Sequence, residues 1–284
     1  MKSYMIISVA MLGIVSMYAQ DNSYQSEKLI KVWETKGLDV PESVLPVPEK
    51  NIMYISNIAA QNPSEKNQKG FISILDMDGK VKELNWATGL NSPKGLGIYK
   101  DFLYVTEVDH ITRIDLKNGE KVKSFKVEGA KFLNDVAVGP DGTVYFTDSG
   151  TGAVHKLEGD AVKVFLKEGT FKNPNGIMAA KEKLYIGTGE KIASVDIATG
   201  KMEDVLVNTG AADGIARIGG ETFLFSDWPG TIHIMKAGDQ KELLLDTSKS
   251  GNYKTADFGF IAEDKKVIVP TFFGNSVVCY ELKL

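Results

Sequence analysis

The sequence predicts an all-β protein, a six-bladed β-propeller built of four-stranded blades. Three observations predict it. A strand–turn–strand pattern recurs six times, at intervals of roughly forty residues, the length of one four-stranded blade. Helical periodicity is absent beyond the N-terminal leader. The last repeat lacks one strand, and a spare strand precedes the first.

The six pairs read "PESVLPVPEKNIMYISN" from Pro41, "PKGLGIYKDFLYVTE" from Pro93, "NDVAVGPDGTVYFTD" from Asn134, "NGIMAAKEKLYIGTG" from Asn175, "DGIARIGGETFLFSD" from Asp213 and "DFGFIAEDKKVIVPT" from Asp257. Each is a short apolar run, a polar turn and a second run of β-favouring residues. The first interval is longer because a polar loop, Ala59 to Gly70, is inserted. Two further strands follow each pair, as in "AVHKLEG" and "AVKVFL" after the third or "TIHIMKAG" and "KELLLD" after the fifth. The sixth has only "SVVCYEL" before the chain stops at Leu284. The stretch "EKLIKVWET", Glu27 to Thr35, resembles an outer strand. It is expected to close the sixth blade, which removes an exposed edge and locks the ring. The turns "MDGK", "KNGE", "PDGT" and "ATGK" are hairpin signals, so Asp78, Asn118 and Asp141 read as turn residues.

Composition bounds the function. The chain has 284 residues, is 43% hydrophobic and 25% charged, and carries a formal charge of −4. Its two arginines, Arg113 and Arg217, are far apart in sequence. An acidic chain without an arginine cluster is a poor candidate for nucleic acid. Residues 1–20 read as a signal peptide: Lys2, then a largely apolar run from Tyr4 to Tyr18, then the small Ala19. That run is short for a bilayer span. The expectation is therefore an exported monomer, periplasmic or secreted, with no stable membrane anchor and one propeller domain over 21–284. The single cysteine, Cys279, leaves no internal disulfide and reads as core.

The residues that open the repeats are Glu42, Lys94, Asn134, Asn175, Asp213 and Asp257. The first strand of each propeller blade lines the central axis, so these side chains are expected to converge at one face. Any one of them alone reads as a cap or a turn. Together, Glu42, Asn134, Asn175 and Asp213 form an all-oxygen set suited to a hard divalent cation, with calcium favoured because it accepts neutral amide oxygens. Without an ion, Glu42 and Asp213 would repel each other in a partly desolvated funnel. Zinc is not expected, since His110, His155 and His233 fall at unrelated positions and read as surface or rim residues. The second strands return to the same face and end on Asn57, Glu107, Asp148, Asp227 and Thr271. These read either as a support or substrate rim around the site or as plain exposed strand ends. Trp228 and Phe272-Phe273 either wall a pocket or pack between blades.

The motifs "PESV", "FLND", "NPNGI" and "ADGI", in this order and spacing, resemble those of the SMP-30/gluconolactonase/LRE-like propellers, with paraoxonases as distant cousins. The resemblance spans nearly the whole chain beyond the leader. It implies a calcium-dependent hydrolase of lactones or related esters, with metal ligands at Glu42, Asn134, Asn175 and Asp213. It further implies that Asp213 acts as a general base, with Lys94 a second catalytic candidate. Asn134, Asp148, Asp227, Trp228 and Asp257 are the candidates for contact with a small-molecule substrate. Glu42 stands in "PES" in place of the more usual Glu-Gly-Pro. Two further positions depart from the family: Phe132 stands where sugar-lactone members often carry arginine, and Lys94 replaces the histidine of paraoxonases. A metal- and ligand-binding propeller without turnover and an interaction scaffold are the competing readings, because fold does not fix function.

Overall fold

The computed structural model describes residues 23–284, and the leader read at 1–20 lies outside them. Six four-stranded antiparallel sheets close into a ring, so the chain is a six-bladed β-propeller. Blade 1 runs Pro41–Val47, Ile52–Asn57, Gly70–Asp76 and Val81–Leu90 from the axis outwards. Blades 2 to 5 repeat this order, with inner strands Leu96–Tyr99, Leu133–Val138, Ile177–Ala180 and Ile215–Gly219. Blade 6 starts with Gly259–Ile261. Among the described residues the only helical pieces are two 3-10 turns, Pro48–Lys50 and Phe272–Gly274.

Ring closure follows the sequence expectation and goes further. Leu29–Lys36 is the outer strand of blade 6 and pairs antiparallel with Ser276–Leu282, from Leu29 against Leu282 to Lys36 against Ser276. A shorter strand, Tyr24–Gln25, adds a fifth member to blade 5 by pairing with Asp246 and Leu245. One N-terminal segment thus covers the outer edges of two adjacent blades. A parallel bridge between Ser43 and Asp257 joins blades 1 and 6 at the inner end.

Blades stack face to face, and that decides the residue pattern. The second strand of blade 3, Val144–Asp148, is buried at every position, so it reads as a continuous rather than alternating apolar run. The outer strand Lys121–Lys126 is exposed except at Phe125. Six apolar clusters fill the six gaps between neighbouring blades. One joins Ala137 and Tyr145 of blade 3 to Ile177 and Leu184 of blade 4. Another joins Ile268 and Cys279 of blade 6 to Val44 and Met53 of blade 1. Cys279 is core, as expected, and burial pushes its thiol up to about 11. The turn in "PDGT" also behaves as read: Asp141 accepts the backbone N–H and the hydroxyl of Thr143 at 3.0 and 2.9 Å.

Two of the three histidines, His155 and His233, depart from expectation, whereas His110 is 34% exposed and pairs with Asp109. His110, His155 and His233 all lie on third strands, and His155 is buried, stacked on Phe146 at 5.6 Å. His233 stacks on Phe225 at 5.5 Å in the same way. The middle of a blade packs against its neighbours, so an imidazole there is a filling group rather than a rim group.

Candidate metal centre

Two local devices aim the opening residues. The first is a β-bulge, which re-aims side chains where the ladder slips. The pairing register shifts between Pro41 and Val44, the stretch that holds Glu42 and Ser43. It shifts again between Leu133 and Val136, the stretch that holds Asn134 and Asp135. The second is a hydroxyl from the second strand. Thr147 accepts the backbone N–H of Asp135 at 3.1 Å and donates to the carbonyl of Asn175 in the next blade at 2.8 Å. Ser226 does the same between Gly214 and Ala256, at 2.8 and 2.9 Å. Thr106 donates to the carbonyl of Asn134, and Ser56 accepts from the N–H of Ser43. Asn134, Asn175 and the residue before Asp257 are therefore each tied to the blade before them.

Glu42, Asp135 and Asp213 meet at the axis. One carboxylate oxygen from each lies within 4.8 Å of the other two, and all three residues are 3–5% exposed. Burial pushes all three carboxyls well above their usual range, and their neighbours add to it: Asp213 for Glu42, and Asp257 for both aspartates. Six buried oxygens here have no hydrogen-bond donor: Glu42 Oε2, Asn134 Oδ1, both carboxylate oxygens of Asp135, Asn175 Oδ1 and Asp213 Oδ1. Buried polar atoms in folded proteins are rarely left without partners. An all-oxygen set of three carboxylates and two amides fits a hard cation, and this buried acidic triad could hold a metal ion.

The sequence-predicted ligands Glu42, Asn134, Asn175 and Asp213 all line one cavity of about 290 Å3, with Lys94 beside them. Its other lining residues are Ile58, Pro63, Phe132, Trp228 and Phe272. Lys94 is 1% exposed; its ammonium donates to the Ser92 carbonyl at 3.1 Å and stands 4.4 Å from the centre of the Phe132 ring. Burial lowers its pKa to about 8, against the opposing pull of Glu42, Glu107 and Asp135.

Asp135 was not among the expected ligands. It follows the opening residue, at a position that blades 2, 4 and 5 fill with Gly95, Gly176 and Gly214. A carboxylate where its siblings carry glycine is the signal that could have found it. Asp257 is half-buried, accepts the Ser43 hydroxyl at 2.5 Å and does not line the cavity. Burial raises its carboxyl to about 7.

Three of the second-strand ends, Asn57, Asp148 and Asp227, anchor backbone N–H groups, and Asp148 thereby holds cavity-lining Phe132. Asp148 is fully buried, neither a rim group nor an exposed strand end, and accepts backbone N–H groups from Lys131, Phe132, Gly150 and Thr151. Asp227 accepts from Gly230 and Thr231, and Asn57 from Asp39. These side chains pin loops. Asp148 and Asp227 do not line the cavity, whereas Trp228 does.

No protein-family model matches the sequence, and no curated protein matches it. Solved structures do. A virginiamycin B lyase from Staphylococcus aureus, a catalytically inactive histidine-to-alanine variant bound to quinupristin, superposes with a TM-score of 0.60 at 15% identity, covering 90% of this chain and 99% of that one. A protein provisionally assigned as a gluconolactonase gives 0.63 at 17% identity, covering 90% and 94%. A chain of a nidogen/laminin complex gives 0.61 at 16% identity, covering 76% and 87%. At these identities the likeness is one of fold.

Proposed function

We propose that the chain is a calcium-dependent hydrolase of lactones or related esters, similar to the SMP-30/gluconolactonase propellers, and that it is exported after loss of residues 1–20. The observation that carries the reading is the set of six unpartnered buried oxygens, four of them on residues lining one cavity and two on Asp135 beside it. A scaffold propeller has no use for such a set, because each desolvated oxygen without a donor costs on the order of 1–3 kcal/mol.

Glu42, Asp135 and Asp213 would hold the ion, with Asn134 and Asn175 as neutral oxygen donors. A bound divalent cation supplies polarisation of the ester carbonyl and charge stabilisation as that oxygen becomes anionic. Asp213 would take a proton from water as the water oxygen adds to the carbonyl carbon. The acyl carbon–oxygen bond then breaks, and the departing alkoxide takes back that proton from the Asp213 carboxyl. Lys94, held at about 8, is the second group at the cavity floor able to carry a proton near neutral pH. Its charge also offsets part of the repulsion among the carboxylates.

The lyase likeness favours a different reaction, but the side chains do not follow it. That lyase is inactive as a histidine-to-alanine variant, whereas no histidine of this chain lines the cavity among the described residues. A binding propeller without turnover is the reading to test against. The test is hydrolysis of a lactone and ester panel by calcium-loaded and chelated protein and by Asp213→Ala. Turnover that disappears on chelation and in the variant is expected. Calcium binding with no turnover across the panel would leave a binding protein.

A further inference from the structure

We propose that the cavity selects compact apolar lactones and esters, such as aryl- or alkyl-substituted rings, over polyhydroxylated sugar lactones. The inference rests on the hydrolase reading above and names the substrate class for the same site.

The cavity is divided by chemistry. Its polar groups, Glu42, Lys94, Asn134, Asn175 and Asp213, are the residues that open the blades and belong to the ion and the reacting carbonyl. The remaining wall, Ile58, Pro63, Phe132, Trp228 and Phe272, presents no side-chain donor or acceptor except the Trp228 indole N–H. A substrate ring carrying several hydroxyls would lay them against this wall and lose their water without replacement. An aryl or alkyl substituent would bury its surface there instead. A volume of about 290 Å3 sits at the low end of small-molecule sites, which span roughly 300–1,000 Å3, and so favours one ring or a short chain.

Two further observations mark this wall as built for contact. Trp228 is 42% exposed at the cavity, and large exposed aromatics beside a pocket mark ligand surfaces. Its ring is held edge-on against Phe272 and Phe273, at 5.5 and 6.2 Å, and the Lys254 ammonium stands 5.4 Å from its centre. Phe272 itself adopts φ +50°, a left-handed backbone that a bulky side chain rarely takes. Such strain gathers where a side chain must be delivered to a fixed place, here the cavity wall.

Binding separates this inference from turnover. Calcium-loaded full-length protein is titrated calorimetrically with two lactams, which resist hydrolysis: a phenyl-substituted δ-lactam and a polyhydroxylated δ-lactam. The phenyl lactam is expected to bind at least tenfold more tightly, and Trp228→Ala to weaken it at least fivefold with little effect on the polyol. Trp228 is surface-exposed, and a thermal melt checks that the variant folds. Equal or tighter binding of the polyol overturns the inference, as does the absence of saturable binding by either lactam or an unchanged affinity in Trp228→Ala. Phenyl-lactam binding with no lactone turnover sustains the inference while the hydrolase reading fails. Turnover that prefers sugar lactones does the reverse.

Discussion

Gly176 lies against the backbone carbonyl of Asp213: a Cβ built on Gly176 would stand 1.8 Å from that oxygen. The same approach recurs one blade apart. A Cβ on Gly95 would meet the Asp135 Cα at 2.4 Å, and one on Gly214 would meet the Phe258 N at 2.7 Å. In blades 2, 4 and 5 the glycine after the opening residue is thus the place where the next blade's backbone crosses. The spacing of the metal-site residues depends on it.

Gly176→Ala is accordingly expected to displace Asp213. No flexible side chain is available to yield, so the cost should reach about 3 kcal/mol, the upper end for overpacking. The melting temperature should fall by roughly 6–12 °C, taking 2–4 °C per kcal/mol for a domain of about this size, and calcium affinity should drop at least tenfold. Gly189→Ala is the control, since its Cβ would have its nearest neighbour, the Lys172 carbonyl, at an ordinary 3.4 Å. Equal melts for the two variants would break the argument.

Metal removal should cost stability. An ion bound only by the folded chain, at a hundred times its dissociation constant, stabilises by about 2.7 kcal/mol. Chelation is therefore expected to lower the melting temperature by roughly 5–10 °C. Glu42→Gln should largely abolish the response to added calcium in differential scanning calorimetry.

The metal-free protein should lose stability as pH rises, through these carboxylates. The folded state holds Asp257 at about 7 and Asp213 well above its ordinary value near 3.8, whereas the unfolded chain releases both protons near that value. Below about pH 4 both states are protonated and no penalty arises. As pH climbs through the folded values the buried groups must ionise, and the penalty grows to its full size. Metal-free Asp213→Asn should therefore be more stable than wild type at pH 8, and the gap should narrow at pH 5 and close below about pH 4. Denaturant melts of both proteins in chelator would reveal a gap of the wrong sign or one independent of pH.

Removing the N-terminal segment should open the ring. A chain starting at Gly37 bares the edge of Glu242–Asp246 and that of Ser276–Leu282 together. Bare edges recruit other strands. The truncated protein is expected to run as soluble oligomers or aggregate on size exclusion, where the chain from Ser23 runs as a single species. A monomeric truncation with an unchanged melt would show that closure is not needed.

The sequence by itself determined the ring. Strand–turn–strand pairs at a fixed spacing cannot bury their apolar faces alone, so each blade demands its neighbours, and a missing strand at one end with a spare at the other demands closure. It also shows Glu42, Asn134, Asn175 and Asp213 opening the inner strands of blades 1, 3, 4 and 5, because repeat position maps directly to angle around the axis. Only the tertiary structure decided which groups share one point. Asp135 joins the cluster because a bulge turns the residue after Asn134 towards the axis, and a one-residue register slip leaves no periodic trace. Asp148 and Asp227 went to loop anchoring because the orphan N–H groups of the adjoining turns lie within reach, a matter of loop path rather than residue type. The apolar wall was readable only in part: Trp228 and Phe272 were candidate wall residues, but Ile58, Pro63 and Phe132 come from other loops that meet them only when the ring is closed.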